Sequence, residues 1–323
     1  MVAAVSKNST NGRTHMPAPR APLAVRAARA GFRVIGPYAP SLAATYAERL
    51  FLTARRHPRP AWEARALATA DERFSIPHAG KLLPAWRWGD GARTVLLVHG
   101  WEGRGSQMAA FVAPLTERGF SVVTFDVPGH GDAPSGLASV IEHARAVASV
   151  GAFLGPLHAV IAHSVGGAAS LFATRHGFDA GRLALVAPPV SPARFAAGFG
   201  AMMQLGPQVL DAMVARLERR YGVPMADLLV TPDAARFTKP VLVVHDVDDR
   251  VVELQAGEAI AKAAPAGRLF TTHGLGHSRI LRAREVLDEV IPFVVDGAPR
   301  DEAKACLLAN AIETDLFYRD LRW

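Results

Sequence analysis

Ser164 lies in the stretch Ala162-His163-Ser164-Val165-Gly166-Gly167, after an apolar run at residues 158–161 and before an Ala-rich segment. A serine between a strand and a helix, with small residues two before and two after it, has the pattern of a nucleophile elbow. Such a turn is so sharp that strand and helix nearly touch, so Ala162 and Gly166 must be small. Glycine is usual at both places; the methyl group of Ala162 is expected to be tolerated. A serine hydroxyl is a weak nucleophile near neutral pH. It needs a base to take its proton, a group to orient that base, and donors for the oxyanion that develops on the substrate.

Candidates for these roles lie further along. Three acids, Asp246, Asp248 and Asp249, follow the apolar run 241–244. Any of them could orient a base. His277 follows in Gly274-Leu275-Gly276-His277, and His273 stands nearby without the flanking glycine. His163 precedes the serine and is expected to point away from it as a packed, hydrogen-bonded residue. His99, Asp126 and His130 read as braces of loops, Glu102 as a loop charge, and Trp101 either as packing or as a ring offered to substrate. The 12 histidines show no His-Glu-x-x-His or paired Cys/His spacing, so no metal is expected. Gly100 to Gly105 lacks the Gly-Lys-Ser/Thr ending of a phosphate loop, and no cofactor is implied.

These residues have to be held by strands and helices. β-rich runs occur at 94–98, 121–125, 159–161, 183–186, 241–244 and 268–272, and their continuous character is that of strands buried on both faces. Helical spacing recurs between them at about 106–118, 139–154, 165–176, 253–264 and 278–295. Alternating strands and helices predict an α/β fold: a mostly parallel, doubly wound sheet with helices on both faces. Residues 74–77 and 83–88 read as a hairpin around Ala79-Gly80. The interval 190–236 is too long for one crossover and carries Met and Leu at helical spacing; it reads as a small inserted helical cap over the strand ends where ligands bind. Residues 1–22 are expected to be a disordered tail, 23–71 an N-terminal helical arm, 72–297 the main domain, and 298–323 a C-terminal helical extension. Within the arm, 55–60 reads as a solvated basic turn.

Composition narrows the function classes. Half of the 323 residues are hydrophobic, which is enough for a large core. No apolar run approaches the ~18 residues of a membrane span. The net charge of +7 is concentrated in residues 1–47, where Lys7, Arg13, Arg20, Arg26, Arg29 and Arg33 stand without an acid. The remainder is nearly neutral and shows no nucleic-acid-binding module. The Arg/Ala-rich start has a faint likeness to a transit peptide, but a cytoplasmic location is the default expectation. Cys306 is the only cysteine, so no internal disulfide forms; it reads as a small buried hydrophobe.

Five motifs in order resemble the α/β-hydrolase fold superfamily over about residues 72–297. They are His99-Gly100-Trp101-Glu102-Gly103, the Asp126-Val127-Pro128-Gly129-His130-Gly131 loop, the serine turn, the acid loop ending Asp249-Arg250-Val251-Val252, and Gly274-Leu275-Gly276-His277. The order serine, acid, histidine is that of the family's triad. The resemblance implies Ser164 as nucleophile, His277 as base, Asp249 as the orienting acid, and the backbone N–H groups of Trp101 and Val165 as the oxyanion hole. It further implies a serine hydrolase acting on a small-molecule carboxylic ester or related acyl bond through an acyl-enzyme. The alternatives are a catalytically silent ligand-binding protein of this fold, or a peptidase, thioesterase or carbon–carbon bond hydrolase.

Overall fold

The computed structural model describes residues 22–296. Cys306, the tail at its residues 1–21 and the expected C-terminal helix lie outside the described residues. The chain begins with helices α1 (Leu23–Ile35), α2 (Pro40–Phe51) and α3 (Ala61–Ala68), followed by strands β1 (Glu72–His78), β2 (Lys81–Trp88) and β3 (Arg93–Val98). A 3₁₀ segment, Gly105–Phe111, leads into α4 (Val112–Thr116), β4 (Phe120–Phe125), α5 (Val140–Leu154), β5 (Leu157–His163) and α6 (Val165–Ala173). Next come β6 (Leu183–Val186), α7 (Ala193–Met203), α8 (Pro207–Tyr221) and α9 (Thr231–Arg236). The described part closes with β7 (Val241–Asp246), α10 (Leu254–Ala263), β8 (Gly267–Thr272), α11 (Gly276–Arg279) and α12 (Arg284–Asp296).

The strands form one eight-stranded sheet in the order β1-β2-β4-β3-β5-β6-β7-β8. β1, β2 and β4 pair antiparallel, and every pair from β4 to β8 is parallel, so the expected doubly wound sheet is present. The first hairpin turns at Ala79 and Gly80, both left-handed (φ 45° and 72°). Left-handed backbone at both central residues is what a two-residue turn between right-twisted strands requires. From β3 the chain winds outward to β4 on one side, while β5 pairs on the other. The loops after β3 and β5 therefore leave the sheet side by side at its switch point, where open α/β sheets form their ligand crevice.

Strand side chains alternate between two cores. Leu96, Val98, Val160, Ala162, Leu183, Leu185, Val241 and Val243 pack on one face with α5, α6 and α10. Val95, Leu97, Ala159, Ile161, Ala184, Val186, Leu242 and Val244 pack on the other with the 3₁₀ segment and α12. At ~25 cal/mol per Å² of apolar surface removed from water, these two layers supply most of the drive to fold.

Two expected helices differ in form. The helix expected at 106–118 is mostly 3₁₀, with only residues 112–116 α-helical. That expected at 278–295 is broken by Ala283, whose extended backbone (ψ 133°) separates two short turns from α12. The N-terminal helices do not stand apart from the 190–236 insertion. α2 lies along α8, where buried Glu48 accepts from Arg216 Nε and Arg220 Nε at 2.7 Å each. On α1, Arg29 Nε donates to the Met202 carbonyl at the end of α7 (2.8 Å).

Candidate active site

Ser164 occupies the turn between β5 and α6 with φ 51° and ψ −125°. This left-handed backbone is strained in any residue other than glycine, and such strain, of order 1–3 kcal/mol, persists only where the surroundings enforce it. Here they do. Ser164 N–H donates to the Val186 carbonyl (2.8 Å), and the carbonyl of Ser164 accepts from Gly167 N–H (2.8 Å). A Cβ on Gly166 would lie 2.4 Å from the His99 carbonyl oxygen, so helix α6 can press against the end of β3 only with glycine there. Ala162 is fully buried in the sheet, so its extra methyl is accommodated.

The Ser164 hydroxyl lies 2.9 Å from His277 Nε2, and His277 Nδ1 lies 2.7 Å from Asp249 Oδ2. The three come from separate loops, after β5, β8 and β7. Gly274 and Gly276, both left-handed (φ 72° and 64°), coil the chain so that the histidine faces the serine.

The geometry sorts the three acids. Asp249 alone of them meets His277; its other oxygen accepts from Val251 and Val252 N–H (2.8 and 3.0 Å). Burial pushes its carboxyl up, but the His277 bond and the two amides outweigh burial and hold it below the usual range. Asp246 accepts from Thr272 Oγ1, Leu275 N–H and Asp248 N–H at 2.8–3.0 Å, so it ties β7 to the histidine loop. Asp248 accepts from Gly274 N–H (2.9 Å) and caps the same loop. His273 is exposed beyond the end of β8.

Two further histidines, His99 and His163, brace the site. His99 Nδ1–H donates to the Gly100 carbonyl (2.8 Å) while Nε2 accepts from Val127 N–H (3.1 Å), joining the loops after β3 and β4. Burial, reinforced by His130, pushes its pKa down to about 3. Asp126 accepts from Gly105 and Asp132 N–H (2.7 Å each), and burial raises its carboxyl to about 6. His163 is packed and hydrogen-bonded as expected, but it lies against the site and does not point away from it. Its ring packs on that of His277 (centroids 4.8 Å apart) and its Nε2–H donates to the His277 carbonyl (2.9 Å). The sharp turn at Ser164 interrupts strand alternation, so the preceding side chain is not carried away from the site.

Val165 opens α6, where the first N–H groups lack intrahelical acceptors. Trp101 lies in a turn closed by Gly103 N–H to the Gly100 carbonyl (3.1 Å). Its ring is half-buried and meets His130 edge-on (5.6 Å). A Cβ on Gly100 would lie 2.9 Å from that of Ser164, so this turn presses directly on the serine. Sequence reasoning missed what holds it. Residues 55–60 form the exposed basic turn expected, but it is tethered: Arg55 and His57 bond Glu102, and Arg56 Nη2 donates to the Ala133 carbonyl (2.6 Å). The signal available was a cluster of three arginines and a histidine at 55, 56, 59 and 57, with the acids Glu102 and Asp132 in or beside two of the motif loops.

Residues 95–289 match the family model of the alpha/beta hydrolase family. The chain belongs to that family. No curated protein matches the sequence of this hydrolase. Among solved structures it is similar to the esterase Pf2001 of Pyrococcus furiosus, with 16% identity, TM-score 0.58, and cover of 75% of this chain and 98% of that one. It is similar to a membrane phospholipase A described as a bacterial virulence factor, with 20% identity, TM-score 0.55, and cover of 85% and 96%. A thermophilic esterase from Thermogutta terrifontis matches with 19% identity, TM-score 0.51, and cover of 69% and 98%. At these identities the likeness is one of fold. No helix among the described residues of the hydrolase is long and apolar enough to cross a membrane, and no group of three or more His, Cys, Asp or Glu among them is placed to hold a metal ion.

Proposed function

We propose that this chain is a serine hydrolase that cleaves a carboxylic ester or related acyl bond through an acyl-enzyme. The observation that carries the proposal is the continuous contact from Asp249 through His277 to Ser164, ending on a strained serine at the tip of the elbow. In this reading Asp249 holds the Nδ1–H tautomer of His277, leaving Nε2 free to accept a proton. Ser164 Oγ attacks the carbonyl carbon as its proton passes to Nε2. The carbonyl oxygen gains the negative charge and is received by the amides of Trp101 and Val165. The tetrahedral adduct collapses, Nε2–H protonates the leaving oxygen, and the acyl group remains on Ser164. Water then repeats the sequence and releases the acid. In this reading the insertion after β6 serves as a cap over these strand ends, where open α/β sheets bind ligands. The esterase names of two structural neighbours agree with an ester as substrate.

A fluorophosphonate probe should label Ser164, and Ser164→Ala should remove both the labelling and turnover of p-nitrophenyl esters. Labelling of a different residue would overturn the site. Stabilisation by ligands with no turnover across a broad panel of esters, thioesters and amides would mark a binding protein instead. A p-nitrophenyl ester series from acetate to decanoate would rank acyl length.

A further inference from the structure

The segment joining α2 to α3 crosses the strand ends and is fastened along its length. Ala138 N–H donates to the Leu52 carbonyl (2.7 Å), and Arg59 pairs with Asp132 (3.1 Å). Arg104 Nη1–H and Nη2–H donate to the carbonyls of His57 and Pro58 (2.7 and 3.1 Å), while its Nε–H donates to buried Glu63 on α3 (2.5 Å). In the middle of this strap, Arg55 Nε donates to Glu102 Oε1 at 2.9 Å and Nη2 to Oε2 at 3.3 Å. The backbone N–H of Arg55 adds a bond at 3.3 Å, and His57 Nε2 lies 3.2 Å from Oε2.

Glu102 is an unusual residue to anchor. It follows Trp101 in the turn Gly100–Gly103 and has φ 54°, a left-handed backbone in a position where a turn ordinarily takes glycine. The glutamate holds that backbone at a cost, and the bonds from Arg55 and His57 help to keep it there. Arg55 is 70% exposed, so as a stabilising ion pair this contact is worth little. Its geometry points to positioning. We propose that Arg55 and His57 are positioning residues for catalysis: by gripping the Glu102 carboxylate they fix the turn that aims the Trp101 amide at the oxyanion. The N-terminal arm is on this account part of the catalytic apparatus. The inference rests on the reading of Trp101 as an oxyanion donor.

Loss of a whole oxyanion donor costs about 10²–10³ in kcat; a donor loosened by loss of an exposed contact should cost much less, ~3–10-fold. Arg55→Ala and Glu102→Ala should each lower kcat for p-nitrophenyl butyrate by that factor with KM changed less than about two-fold, because the grip matters only once charge develops. Glu102→Gly should recover part of the loss, since glycine takes φ 54° without strain. Arg55→Lys should fall between Arg55→Ala and wild type. Phenylboronic acid, which adds to the serine as a tetrahedral anion, should bind the Ala variants more weakly by about the same factor as kcat/KM falls. Arg145→Ala, which breaks a surface pair with Glu142, serves as a control with unchanged kinetics. Wild-type kcat in Arg55→Ala and Glu102→Ala would overturn the proposal. So would a loss confined to KM, or undiminished boronate affinity beside a lowered kcat. Absence of fluorophosphonate labelling at Ser164 in the wild type would instead defeat the hydrolase reading, which keeps the two failures apart.

Discussion

Gly166→Ala adds a single methyl group where the elbow can least accept one. The new Cβ would stand 2.4 Å from the His99 carbonyl oxygen, 2.8 Å from that of Val98, and 3.0 Å from Val98 Cγ1. Ordinary contact begins near 3.4 Å, so about 1 Å of separation must be found, and two of the three obstacles are backbone at the end of a buried strand. Overpacking of this kind costs typically ~1–3 kcal/mol; with no flexible side chain to yield, the upper half of that range applies. For a domain of this size each kcal/mol lowers Tm by about 2–4 °C, so a fall of roughly 4–12 °C is expected. The displaced backbone is that of His99, which leads directly into the Gly100-Trp101 turn. A misplacement of ~1 Å near reacting atoms can cost about 10²-fold, so kcat should fall by one to two orders of magnitude even well below Tm. The internal comparison is Gly167→Ala, whose Cβ would meet the Pro188 side chain at 3.2 Å and nothing closer, and whose cost should stay within ~1 kcal/mol. Thermal melts and p-nitrophenyl ester kinetics on both variants check the reasoning. A Gly166→Ala protein with wild-type Tm and kcat would refute the claim that the elbow and the β3 loop are packed to backbone contact.

Asp249→Asn should leave the fold intact and lower kcat by about 10⁴, because an amide nitrogen facing Nδ1 favours the wrong tautomer of His277; Asp248→Asn, which touches only the Gly274 amide, should stay within about ten-fold of wild type in the same ester assay. Stability should fall on acidification from pH 7. Burial holds His99 and His163 down to about 3 and His130 to about 4, below the ~6.5 of an unfolded histidine. Their contribution is complete above about pH 6.5 and is lost as pH drops towards 3–4, at up to ~1.4 kcal/mol per unit for each group. Asp126, raised to about 6 by burial, acts in the opposite sense: its contribution is complete below ~3.9 and is lost as pH rises through 6. Three groups against one predict a lower urea midpoint at pH 5 than at pH 7, and His130→Phe, where the lost imidazole bonds only the Pro128 carbonyl, should shallow that slope; an unchanged or raised midpoint at pH 5 would contradict it.

What could be read from the sequence divides along a physical line. The parallel strands were legible because most are short, β-rich and largely apolar runs between polar turns, and the serine turn because steric need dictates small residues at fixed offsets from it. The choice among Asp246, Asp248 and Asp249 was not legible from spacing. The three acids fall within four positions, and what separates them is which loop amides and which ring each one faces. Long-range partners were harder still, since periodicity shows which face of a helix is apolar but not what covers it. On α2 the buried face is Ala43, Ala44, Ala47 and Glu48, and on α3 the one buried residue is Glu63. A carboxylate on a buried face cannot remain unpaired at a tolerable cost, so each demanded a cation from elsewhere in the chain. Arg216 and Arg220 of α8 answer the first, and Arg104 of the β3 loop answers the second. Those two glutamates were therefore the visible trace of an arm packed against the insertion and the motif loops. An acid on a buried helix face thus marks an unfilled contact and not an interruption of the helical pattern, and here both such contacts join the arm to the rest of the chain.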